Sequence, residues 1–212
     1  MRKYVAVLLV FLAMNTACTH LKKEYWPNGI IKSEITLNGK MYEGAARYWY
    51  ENGTLQMECG YKENVLEGAL IRYYISGFRK EEQIYSAGKL HGMVRTWDET
   101  GKIITIANYA DGLLSGHFIE YYPNNLIKTE GQYVKGDYDG VWLYYDQGGA
   151  VIGEGRFEKG NGVQKAFYDN GKVKQVTHYL DNEKNGEEIF YKPDGSPDYI
   201  LLFDKGKMVK KK

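Results

Sequence analysis

One aromatic residue returns every 24 positions along this chain, and that period leaves little freedom in what the chain can fold into. It stands at Tyr25, Trp49, Tyr73, Trp97, Tyr121, Tyr145, Phe167 and Tyr191. Four residues later comes a turn residue: Gly29, Gly53, Gly77, Gly101, Asn125, Gly149, Gly171 and Gly195. Asn125 is the one substitute, and asparagine also tolerates a left-handed backbone. A second aromatic column (Tyr61, Tyr85, Tyr109, Tyr133, Phe157, Tyr179, Phe203) and a second glycine column (Gly44, Gly68, Gly92, Gly116, Gly140, Gly162, Gly186) keep the same period. A two-residue deletion between Gly160 and Gly162 accounts for the single 22-residue step. A fixed period of this size means a repeat array, in which each unit packs mainly on its neighbours.

Each repeat spells a hairpin. In the second one, Gly44 to Tyr50 and Thr54 to Tyr61 are runs rich in aromatics and aliphatics around Asn52-Gly53, the strongest short-range hairpin signal. The segment before the next repeat, such as Val134 to Gly140, supplies the return turn. No stretch after the first 20 residues has the 3.6-residue apolar stripe of a helix. The expected fold is therefore all-β: an elongated, twisted single antiparallel sheet of about eight tandem 24-residue hairpins, with fifteen or so strands and a length of about 70 Å. Lysines near both ends, Lys22 and Lys23 at one and Lys210 to Lys212 at the other, would discourage end-to-end pairing.

Alternation assigns faces. Leu55, Met57, Cys59 and Tyr61 share one face of the second strand, and Ala69, Ile71 and Tyr73 share one face of the first. On this reading Trp49, Tyr73, Trp97, Tyr121 and Tyr145 are inward structural aromatics. The opposite face shows Tyr48, Tyr50, Tyr74, Tyr122, Trp142, Tyr144, Tyr168 and Phe190. The chain has 20 tyrosines, a residue suited to a half-wet sheet face because its ring packs while its hydroxyl stays in water.

The N-terminus carries an address. Arg2 and Lys3 precede an apolar run from Tyr4 to Met14, and Asn15-Thr16-Ala17-Cys18 follows. This is a secretory signal pattern, and its end resembles a bacterial lipobox, which implies lipidation of Cys18 after cleavage. The expected divisions are a signal peptide at 1–17, a short tether at 18–24, the repeat array at 25–209 and a basic tail at 210–212. Acyl chains on Cys18 would hold the repeats on a membrane surface outside the bilayer; the alternative is a secreted or periplasmic protein. Cys59 is then the one remaining cysteine, and a single thiol cannot staple a fold. It sits in a column of mostly small residues, so a packed thiol is expected.

The segments Tyr85-x-x-Gly88-x-x-x-Gly92, Tyr109-x-x-Gly112-x-x-x-Gly116 and Tyr133-x-x-Gly136-x-x-x-Gly140, with the aromatic pair and Asn-Gly turn that follow, resemble MORN repeats. The 24-residue spacing is similar to the bacterial variant of that repeat, found in secreted or lipid-anchored proteins and sometimes labelled as antitoxin components. The likeness covers about Tyr25 to Met208. It implies an elongated twisted sheet that acts as a scaffold, with protein assembly and, in some members, phospholipid association as functions.

Little in the chain points to chemistry. His20, His91, His117 and His178 occupy unrelated repeat columns, and the carboxylate pairs Glu81-Glu82 and Glu187-Glu188 each occur in one repeat only, so no metal-ligand or acid/base motif emerges. The glycines are turn residues and not phosphate loops. The formal charge of +1 gives no electrostatic footprint for nucleic acid. The function expected is non-catalytic: an envelope-anchored scaffold, without cofactor, that binds an envelope protein or an extended polymer through exposed aromatics, with Tyr74, Tyr122, Trp142, Tyr144 and Tyr168 as anchors. The alternative is an antitoxin or immunity-like protein that neutralises a toxin-like partner by contact; an enzyme acting on envelope polymers is the least favoured class.

Overall fold

The computed structural model describes residues 19–212; the expected signal peptide and Cys18 lie outside the described residues. The described chain is one antiparallel meander. Its first half comprises β1 (Thr19–Tyr25), β2 (Ile31–Asn38), β3 (Met41–Trp49), β4 (Leu55–Lys62), β5 (Val65–Tyr73), β6 (Arg79–Ser86), β7 (Lys89–Leu90), β8 (Gly92–Trp97) and β9 (Ile103–Ala110). The second half comprises β10 (Leu113–Tyr121), β11 (Ile127–Val134), β12 (Asp137–Tyr145), β13 (Val151–Glu158), β14 (Asn161–Phe167), β15 (Val173–Leu180), β16 (Glu183–Tyr191), β17 (Pro197–Asp204) and β18 (Lys207–Lys211). Each strand pairs with the next, β7 and β8 being two pieces of one strand against β6. The sheet is open and twisted, and all 18 strands belong to it. The expected tether is not one: from Thr19 onward it is β1, paired with β2 in unbroken register from Thr19 to Glu24. Likewise the basic tail is part of β18 up to Lys211, which lies opposite Leu201.

The two edges of the ribbon use different turns. At one, Gly29 donates its N–H to Trp26 O at 2.9 Å and Trp26 N–H goes to Ile30 O at 2.8 Å, and the pattern recurs at Tyr50, Tyr74, Asp98, Tyr122, Asp146, Tyr168 and Lys192. This is the three-residue hairpin loop, which ends on a left-handed residue, so the periodic glycine is required there. Gly53 has φ +85° and Asn125 has φ +66°. The other edge has two-residue turns with positive φ at both positions, for example Asp111 and Gly112 or Lys135 and Gly136, the geometry that matches the twist of a tight hairpin.

The second glycine column belongs to neither turn. Between β11 and β12 the register slips by two residues around Gly140, which has φ +69°, and equivalent slips occur between β4 and β5 and between β15 and β16. The column therefore marks a β-bulge. In the short repeat β13 and β14 pair without any slip from Gly153 opposite Ala166 to Glu158 opposite Asn161. The deleted residues are the bulge itself.

The second strand of the hairpin faces as expected, with Met57, Cys59 and Tyr61 on the packed side, but the faces of the first strand are the reverse of the expectation. Ile35, Leu37, Ala46, Cys59 and Leu70 form a buried cluster with Tyr48, Met57 and Tyr61 packed on it. Ala46 and Tyr48 thus share a face with Cys59 and Met57, their register partners. A one-residue bulge beside each turn causes the error: Trp49 lies opposite Leu55 while Tyr48 lies opposite Met57. Parity carried inward from the Trp49–Leu55 pair puts the residues of β3 on the wrong side. Trp142, expected to be exposed, is only 2% exposed, whereas Trp97, expected inward, is half-buried on the other face.

A single-layer sheet can bury side chains only by bending towards them. The bend is plain at the short repeat, where Tyr138 on β12 and Tyr179 on β15 bring their ring centroids to 6.4 Å although three strand spacings of a flat sheet separate them by about 14 Å. Phe118, Tyr133, Tyr138, Trp142, Phe157 and Tyr179 make one continuous stack there, with neighbouring centroids 4.9–5.8 Å apart. Gly131 and Gly155 make room for it, since a β-carbon at either would overlap Trp142 or Phe157. Asn182 completes the bend at the loop edge. Its Oδ1 accepts the Tyr138 N–H at 2.8 Å, its Nδ2 donates to Asp137 Oδ1 at 2.8 Å, and its N–H donates to Gly160 O at 2.9 Å.

Candidate binding surface

Neighbouring repeats are fastened at the turn edge by a side chain that reaches forward 23 residues. The phenol of Tyr50 donates to Tyr73 O at 2.9 Å, Tyr74 to Trp97 O at 2.8 Å, Tyr122 to Tyr145 O at 2.8 Å and Tyr168 to Tyr191 O at 2.7 Å. Trp26 Nε1 does the same to Trp49 O at 2.9 Å. Asn28, Asn124 and Asn170 add a second forward bond to the next turn. Three of the five expected anchors, Tyr74, Tyr122 and Tyr168, thus have their polar ends committed to the fold. Lys80 and Lys174 cover the Tyr74 and Tyr168 rings, with Nζ at 5.4 Å and 5.7 Å from the centroids.

Of the other two, Trp142 lies in the concave aromatic stack and donates Nε1–H to Gln132 O at 3.1 Å. Tyr144 is half-buried near Tyr138 and Tyr179, and burial pushes its phenol well above the ordinary tyrosine range. Tyr61 and Tyr133 are raised for the same first reason. Beyond the stack the concave face turns polar around a buried carboxylate. Glu188, 2% exposed, receives Lys184 Nζ at 2.5 Å, Gln175 Nε2 at 2.6 Å and Thr177 Oγ1 at 3.0 Å on one oxygen, the pairing that a buried charge demands. Burial also raises the Cys59 thiol, which fits a packed and unreactive group.

The convex face carries what alternation hid. Trp49, Tyr73, Trp97, Tyr121, Tyr145, Phe167 and Tyr191 form a row there, each half-buried and each two strands from the next. Two of these rings are pinned backwards across the sheet: Tyr73 donates to Glu58 Oε1 at 2.7 Å and Tyr145 to Glu130 Oε1 at 2.5 Å, each 15 residues earlier. Beside the row the charges pair with one another. Lys23 and Arg47 flank Glu34 at 3.0 Å and 3.9 Å, Arg47 also approaches Glu58 at 3.8 Å, and Arg79 and Arg95 share Glu82 at 3.4 Å each. Between them lie apolar residues such as Ile71, Ile106 and Ile119. A shallow depression on this face is lined by His117, Ile119, Glu130, Val141 and Leu143.

Among the described residues no group of three or more His, Cys, Asp or Glu is placed to hold a metal ion, and His91, His117 and His178 remain apart. His91 Nδ1 stands 3.5 Å from the Asp111 N–H, and His178 Nδ1 lies 2.7 Å from Glu187 O.

The MORN repeat variant matches this chain at four places, residues 21–40, 42–63, 90–111 and 161–181, and these matches support a MORN repeat protein. A search of curated proteins finds no match. Among solved structures, the GtfA/B complex bound to UDP and GlcNAc is 14% identical over 53% of this chain and 22% of that one, with a TM-score of 0.24. The TcdB2-TccC3-Cdc42 structure is 11% identical over 89% of this chain and 12% of that one, also at 0.24. This chain spans less than a quarter of the length of either.

Proposed function

We propose that this MORN-like array is a non-catalytic scaffold, held at the cell envelope by lipid on Cys18, that binds a partner along its aromatic surface. The row of half-buried aromatics on the convex face carries this reading. Such rings supply large contact area at low entropic cost and dominate interface energetics. MORN repeats generally mediate protein or membrane binding, which fits a repeat scaffold. The clasps at the turn edge support it too, because they hold successive rings at fixed intervals and so lower the ordering cost of binding.

Crosslinking in intact cells tests this, with wild type compared to Cys18→Ser and Tyr121→Ala. An envelope component captured by wild type, lost in Cys18→Ser and reduced in Tyr121→Ala fits the anchored scaffold. Equal capture by wild type and Cys18→Ser removes the anchoring part. A small toxic protein captured equally by wild type and Cys18→Ser, and neutralised on contact, would replace this reading with the immunity-like one.

A further inference from the structure

We propose that the convex aromatic row is a platform for an uncharged β-1,4-linked glycan running across the strands; this rests on the scaffold reading and names its ligand. Consecutive rings stand two strands apart, a rise of about 9.6 Å. That interval matches the disaccharide repeat of an extended β-1,4-linked chain, in which alternate sugars present the same face. An extended peptide has a shorter repeat of about 6.8 Å for its same-side residues, so it would drift out of step with the rings.

Ring fixation favours the same ligand. The bonds from Tyr73 to Glu58 and from Tyr145 to Glu130 tie each phenol to the neighbouring strand, so both rings are held in place before a ligand arrives. An aromatic face is electron-rich and receives the C–H-rich face of a sugar, while Glu58 and Glu130 keep acceptor capacity for sugar hydroxyls. Charge complementarity points the same way. Along the first half of the row the cations and carboxylates pair with one another, and in the second half Glu130 is held by the neutral Tyr145 phenol, so the row carries no run of one sign that would select a polyanion or a polycation.

The probes are soluble β-1,4-linked N-acetylglucosamine oligomers, dimer and hexamer, with an α-1,4-linked glucan as control, titrated calorimetrically into the folded chain. The hexamer, long enough to cover successive rings, should bind at least about tenfold tighter than the dimer, and the α-1,4 chain should not bind. Tyr121→Ala should weaken hexamer binding about tenfold or more while lowering the melting temperature by no more than about 2–4 °C, because its ring is only half-buried and among the described residues its phenol makes no hydrogen bond. Phe167→Ala serves as a second variant should Tyr121→Ala lower the melting temperature further than that. Failure of wild type to bind the hexamer overturns the glycan assignment, as does hexamer binding that survives both substitutions. Capture of an envelope protein in cells without hexamer binding would sink the ligand and leave the scaffold standing. Absence of both would sink the scaffold too.

Discussion

The indole of Trp142 occupies the space in which residue 131 would carry its β-carbon, and residue 131 is glycine. The two sit on neighbouring strands of the concave face at the centre of the aromatic stack. Gly131→Ala should therefore force the indole out of its place and cost about 1–3 kcal/mol. Urea unfolding measures it, and an unchanged midpoint would mean that the stack can repack.

Trp142→Ala and Trp97→Ala separate the two faces. The buried Trp142 should cost about 3–5 kcal/mol, and the half-exposed Trp97 about 1 kcal/mol. Equal losses in thermal melts would contradict the face assignment.

Tyr74→Phe removes the one hydrogen bond from Tyr74 to Trp97 O and keeps the ring. A loss of about 0.5–1.5 kcal/mol is expected, with faster amide exchange at the turns of the two repeats it joins. No change in either would show that the clasp is incidental.

Asn182→Ala breaks the contacts to the Tyr138 N–H and the Asp137 carboxylate. The part-buried Tyr138 N–H is then left without its protein partner, and about 1 kcal/mol should be lost. Hydrogen exchange at Tyr138 should rise more than at the equivalent amide of Leu66 or Leu114, where no such side chain reaches across. Uniform exchange would remove Asn182 as the tie at the bend.

Alkali should unfold the array. Burial raises the phenols of Tyr61, Tyr133, Tyr144 and Tyr179. A raised folded value means that stability is fully present below the unfolded tyrosine value of about 10 and is lost as pH climbs from there towards the folded values. Circular dichroism and phenol absorbance followed together should show a cooperative transition above about pH 10. Independent titration of the tyrosines with the sheet intact would contradict it.

The architecture was legible because glycine records backbone conformation. Gly53 and Gly77 sit at left-handed positions that few residues tolerate, so the turn column survives sequence change and declares the hairpins. The faces of the first strands were not legible because the bulge beside each turn, unlike the one at the second glycine column, leaves no mark in the sequence. Gln56, the extra residue beside the Trp49 turn, has no special chemistry, yet it changes which residues of β3 share a side with β4. The column of Tyr74, Tyr122 and Tyr168 was visible as recurring tyrosine, but its forward bonds depend on the three-dimensional stagger of one turn against the next. Asn182 could be found as a substitute for a loop glycine; its reach to Tyr138 follows from a deletion whose effect on curvature only the folded sheet reveals.

The forward clasp has a direction. Tyr50 gives to Tyr73, and Tyr122 to Tyr145, always from the earlier repeat to the later one, and always to a carbonyl that any amino acid would supply. A unit that carries this tyrosine therefore brings its own fastener and asks no particular side chain of the next unit at the turn edge, whereas one with Asp98, Asp146 or Lys192 at that position brings none. Added length at this edge thus depends on the identity of one residue per repeat.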